Sequence, residues 1–103
     1  MKYLSQIVEQ VADLYFVDES DWVKEELQGY CAYLSKFILD EDIESYDRFC
    51  LAVLKVGNRS KDKFMQAIEL GKCDYRDLFV AAGFGNSVSK HKEWANNLVR
   101  NNT

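Results

Sequence analysis

The sequence predicts an all-α protein, a single orthogonal bundle of five to six helices. Three observations carry the prediction. Apolar residues recur at i, i+3, i+4 and i+7 through nearly the whole chain, the spacing of one helix face. No segment alternates with period two for long enough to read as a strand. None of the 103 residues is proline, which removes one helix breaker. The length suits one domain, 1–103, and 48% apolar with 14% aromatic residues is enough to build a packed core.

The first helix is predicted over about 2–16, with Leu4, Ile7, Val8, Val11, Leu14 and Tyr15 inward. Asp18 to Asp21 breaks it and supplies capping oxygens, with Asp18 or Ser20 as the N-cap of the second helix. That helix is expected over about 20–39, its stripe formed by Val23, Leu27, Tyr30, Leu34 and Phe37 or Ile38. Gly29 lies inside this pattern at a cost of about 1 kcal/mol relative to alanine, which suggests close approach of a neighbouring helix.

Asp40-Glu41-Asp42 caps the third helix, about 41–56, with Ile43, Tyr46, Phe49, Cys50, Val53 and Leu54 inward. Gly57-Asn58 is a stop. The fourth helix covers about 60–70, with Gly71 as its end. Asp74 is the N-cap of a short fifth helix, with Asp77 three residues on as in a capping box. Leu78, Phe79 and Ala82 are its inner face and Gly83 its C′ residue. The sixth helix, about 87–99, turns Val88, His91, Trp94 and Leu98 to one side.

The formal charge is −4, and it is unevenly placed. Residues 1–50 hold 12 acidic and 4 basic side chains; residues 51–103 hold 5 acidic and 9 basic. An acidic half repels phosphate backbones and attracts cationic partners, so nucleic acid is not the expected main ligand. No apolar run approaches the ~18 residues of a membrane span. The start of the chain lacks the apolar segment of a secretion signal. A cytoplasmic protein is expected. Cys31, Cys50 and Cys73 make an odd set without CxxC spacing, which reads as reduced thiols, the first two as small buried hydrophobes.

Chemical motifs are few. His91 is the one histidine, so a four-ligand metal site would need carboxylates, and no metal or cofactor is expected. There is no GxxxxGK[ST] or GxGxxG pattern, and Gly83-Phe84-Gly85 follows a helix rather than a strand. A thiolate paired with His91 is the one arithmetically available nucleophile, and nothing local supports it. A non-enzymatic role is the expectation.

Two features carry functional content. The first is a pair of acidic segments, Asp18, Glu19, Asp21, Glu25 and Glu26, then Asp40, Glu41, Asp42, Glu44 and Asp47. Trp22, Tyr33 and Tyr46 interleave with them as possible aromatic anchors. The second is the helix–turn–helix outline of residues 74–99, with Lys90, Lys92, Asn96, Asn97 and Arg100 on the last helix. A DNA reader would need Lys90, Lys92 and Arg100 on one exposed face. An adaptor or homodimer would instead expose an apolar patch around Tyr75, Phe79 and Phe84.

The segment Asp74-Tyr75-Arg76-Asp77-Leu78-Phe79-Val80-Ala81-Ala82-Gly83-Phe84, followed by His91 and Trp94, resembles a small bacterial family with a D-aromatic-R-D-L-L-V-A-A-G-F segment and a later His-x-x-Trp element. Arg48 to Lys55 is similar to that family's core helix. The family brings no catalytic residue; its motif implies a capped short helix, a glycine stop and an aromatic plug. In size, acidity and helical content the chain also resembles the all-helical immunity proteins of polymorphic-toxin and contact-dependent growth inhibition systems. That resemblance implies binding to a basic partner protein, with a nuclease toxin as the type whose cleft an acidic surface would fill, through the ten acids named above.

Overall fold

Why the chain folds around its middle helix is clear from burial along that helix. In the computed structural model, which describes residues 3–38 and 43–102 with the side chains of Ile43 and Glu44 excepted, the helix Asp47–Gly57 buries Cys50, Leu51, Ala52, Val53 and Leu54 in succession. Five consecutive buried residues exceed one face of a helix, so this element is covered on all sides. With the helices numbered in chain order it is α3. The others are α1 (Gln6–Tyr15), α2 (Ser20–Leu34), α4 (Lys61–Cys73), α5 (Tyr75–Ala81) and α6 (Lys90–Asn101), with a 3-10 turn at Ile43–Tyr46 before α3. α3 touches α1, α4, α5 and α6, while α2 packs on α1 and α4. The architecture is the predicted all-α bundle, with no strand among the described residues.

The caps explain where the helices begin and end. Ser5 starts α1 by accepting the Val8 N–H at 3.4 Å, so the helix begins four residues later than its apolar spacing suggests. Glu19, not Asp18 or Ser20, occupies the α2 N-cap, and its side chain makes no capping bond. α2 ends at Leu34 rather than near residue 39. Ser35 Oγ donates to the Ala32 carbonyl at 2.6 Å, and the Phe37 N–H bonds to the Leu34 carbonyl at 2.9 Å. This tightened turn takes Phe37 off the core stripe and leaves it 67% exposed. The predicted cap Asp40-Glu41-Asp42 lies outside the described residues.

The glycines correct two expectations. Gly29 faces solvent, and among the described residues a Cβ added there would meet nothing within 4 Å and no neighbouring helix approaches it. The close approaches are at Gly57, where a Cβ would come to 3.0 Å from Phe64 of α4, and at Gly71. Gly71 does not end the fourth helix, which continues to Cys73. A Cβ on Gly71 would overlap the buried Tyr30 hydroxyl. Past Gly57 the left-handed turn falls on Asn58, at φ 45°.

The Asp74–Phe84 segment is the expected capped short helix with a glycine stop and an aromatic plug, but Asp77 does not complete a capping box, because the Asp74 N–H goes to the Leu70 carbonyl at 2.8 Å. Asp74 Oδ1 accepts the Arg76 N–H at 2.9 Å. The helix stops on Gly83 at φ 79°, with the Phe84 N–H reaching back to the Phe79 carbonyl at 2.9 Å. Phe84 is the buried plug, and both His91 and Trp94 meet its ring, at centroid distances of 6.1 and 6.2 Å. Ser87 Oγ accepts the N–H groups of Ser89 and Lys90, which delays α6 to residue 90.

Candidate functional site

α2 carries two surfaces. The N-terminal one is acidic. Asp21 and Glu25 are exposed one turn apart, Asp18 is exposed in the preceding turn, and Glu19 and Glu26 are half-buried beside them. Gly29 and Ala32 continue the exposed line toward the C-terminus, so the face is flat. Its neighbouring cations are turned to the flanks. Lys24 Nζ sits 2.8 Å from Asp13, whose hydrogen bond raises the lysine's pKa from its ordinary value. Lys61 reaches Glu19 at 4.0 Å and lies over the Trp22 ring.

Of the second acidic segment only Asp47 is described in full, and it is not on this face. Asp40, Glu41 and Asp42, and the side chain of Glu44, lie outside the described residues. Asp47 is 5% exposed, which corrects its assignment to a partner-binding surface. It opens α3, where the helix N-terminus favours a carboxylate, and the burial of α3 takes it out of water. Tyr46 is likewise buried, edge-on to Tyr3 with centroids 5.0 Å apart. Trp22 packs on Phe64. Of the three interleaved aromatics, only Tyr33 belongs to an open site.

That site is a groove of about 620 Å³ where the end of α2, the first turn of α3 and the α4–α5 junction converge. Phe49, Tyr75 and Phe79 form one wall, each pair of rings within 5.1 to 5.7 Å. Tyr33 and Phe37 form the other, with centroids 5.3 Å apart. Tyr33 ties α2 to α4 by donating its hydroxyl to the Lys72 carbonyl at 3.3 Å. Arg48 lays its guanidinium 4.2 Å from the Phe79 centroid and donates Nη2 to the Gly85 carbonyl at 2.6 Å. The apolar patch expected around Tyr75, Phe79 and Phe84 is therefore redistributed. Tyr75 is 44% exposed on the rim, whereas Phe84 is inside the core. The spacing of Tyr33 with Phe37 and of Tyr75 with Phe79 (each i, i+4) was the available signal, but nothing in one sequence says that these two pairs face each other.

The thiols and the histidine do not form a nucleophilic pair. Cys31 Sγ and Cys50 Sγ are 3.3 Å apart in the core, joining α2 to α3. The hydrogen bond shared with Cys31, together with burial, pushes the Cys50 thiol up, opposite to the shift that activates a nucleophile. Cys73 is exposed and lines the groove. His91 is buried, and burial, with the nearby charges of Lys92 and Arg48, lowers its pKa. On α6, Lys90 and Lys92 are both exposed. Two residues apart on a helix they point to opposite edges, so with Arg100 they do not share one face. Among the described residues no cluster of three or more His, Cys, Asp or Glu side chains is placed to hold a metal, and no helix is long and apolar enough to cross a membrane.

Fold and surfaces define a class: an all-α bundle with a flat acidic helix face and a separate aromatic groove. Comparison with known proteins adds no family, since no family model matches the chain and no significantly similar curated protein or solved structure was found.

Proposed function

We propose that this chain is an inhibitory binding protein of the immunity type, which covers a cationic cleft on a partner protein, such as the cleft of a nuclease toxin, with the acidic face of α2. One observation carries the reading. Asp21, Glu25, Gly29 and Ala32 make a continuous exposed line, with no ion pair to Asp21 or Glu25 among the described residues. Nucleases hold phosphate backbones in basic clefts, and an acidic helix can occupy such a cleft without any reaction of its own. Gly29 supports the same reading. A solvent-facing glycine in mid-helix costs about 1 kcal/mol, nothing among the described residues requires it, and it lets a partner's backbone come close.

The test is capture at low salt from the lysate of the host, using the tagged protein and a variant with Asp18→Lys, Asp21→Lys and Glu25→Lys. These sites are exposed, but Asp21 lies in the first turn of α2, so the three reversals together should cost about 1–2 kcal/mol, and circular dichroism checks that the variant is folded. The expected outcome is one basic protein retained by the parent chain, released by raised salt, inhibited by it in a nuclease assay, and lost by the variant. Equal retention and inhibition by both proteins would remove the acidic face from the interface.

A further inference from the structure

We propose that the groove between α2, α3 and the α4–α5 junction is a second docking site, and that its occupant is an acidic peptide segment of a partner protein, with aromatic or large apolar side chains flanked by carboxylates. The groove and the acidic face have opposite charge, so either surface can act without the other.

Shape speaks for a peptide. The groove holds about 620 Å³, and two large apolar side chains that line it stand in water, Phe37 at 67% and Tyr75 at 44% exposure. A small-molecule pocket encloses most of its ligand. Exposed aromatics around a trough are the anchor positions of a protein contact.

Charge selects the sign of the peptide. Among the described lining residues, Arg48, Lys72 and Arg76 are cationic and Asp74 is the one carboxylate. Asp74 already caps α5 through the Arg76 N–H. The pairing of Lys72 with Glu69 is long, at 4.0 Å, and contributes little at an exposed site. Arg48 is held by Phe79 and Gly85, and its Nε, shielded from solvent, has no acceptor among the described residues. Guanidinium groups over aromatic faces favour carboxylates beside apolar side chains.

The test uses two display libraries screened against the full-length chain. Both place two aromatic residues within twelve positions; one fills the remaining sites from glutamate and aspartate, the other from lysine and arginine. The acidic library should be enriched. A fluorescein-labelled peptide from it should bind with an affinity that falls as salt rises. Lys72→Glu with Arg76→Glu should weaken binding at least tenfold, and so should Phe37→Ala with Tyr75→Ala. Lys90→Glu with Lys92→Glu, which makes the same net charge change away from the groove, should alter it less than threefold. All these sites are exposed, and circular dichroism confirms that each variant folds. Enrichment of the basic library, failure to enrich the acidic one, or equal losses in the Lys72/Arg76 and Lys90/Lys92 pairs would overturn the proposal. So would a dimer in sedimentation equilibrium that the groove variants dissociate, since a second copy would then be the occupant.

Discussion

The two surfaces of α2 lie on one helix, yet they are held in place differently. Asp21 and Glu25 stand in water at its N-terminal end, and Gly29 beside them has open space above its Cα. Eight residues beyond Glu25, about 12 Å along the axis, Tyr33 and Leu34 form one wall of a groove whose other walls come from α3, α4 and α5. There Gly71, also a helical glycine, has no such space: a Cβ on it would run into the Tyr30 hydroxyl and Leu78. The acidic face needs only that α2 be a helix. The groove needs four elements at their correct separations, so packing errors will reach it first. A surface of the first kind can change its charges with little effect on the fold, whereas one of the second kind is an extension of the core.

Replacing the two glycines tests this contrast most directly. Gly71→Ala is expected to destabilise the protein by about 1–3 kcal/mol, the usual cost of overpacking, read as a lower urea midpoint. Tyr30→Phe removes the oxygen that would be overlapped, so the double variant should recover a substantial part of the loss. Tyr30→Phe alone should be neutral or stabilising, because the hydroxyl is buried with no hydrogen-bond partner among the described residues. A Gly71→Ala protein as stable as the parent would mean that the groove floor is not coupled to the core.

Gly29→Ala should act in the other direction. With open space at the Cβ position, it should gain about 0.5–1 kcal/mol from helix propensity. If the urea midpoint falls instead, the face is not the unencumbered surface described.

The smallest effect is a pH dependence from the core, away from both surfaces. Burial lowers the pKa of His91 below its ordinary 6.5 in the folded state, so below about pH 6.5 the unfolded chain binds the proton more readily. Stability should therefore be full above that pH, decline as the pH falls toward the lowered folded value, and level off beneath it. His91→Gln should flatten that slope in urea titrations between pH 5 and 7.5. An unchanged slope would place its origin elsewhere.

Much of the fold was legible because it rests on local chemistry. The apolar period of 3.6 identified all six helices. The capping carboxylate of Asp74, the left-handed stop at Gly83 and the break at Gly57-Asn58 were readable from residue type alone, since each satisfies or ends a helix within a few residues of itself. The exposed acids Asp18, Asp21 and Glu25 were legible for the same reason: a charged side chain on the outer face of an amphipathic helix has nowhere else to go. Tertiary structure decided what depends on distant neighbours. It chose Gly71 over Gly29 as the site of close approach, took Asp47 and His91 out of water, set Cys31 against Cys50, and brought Tyr33 and Phe37 opposite Tyr75 and Phe79. Periodicity reports which face of each helix is apolar, but not which helix covers it, and a groove exists only where the covering helices leave a gap.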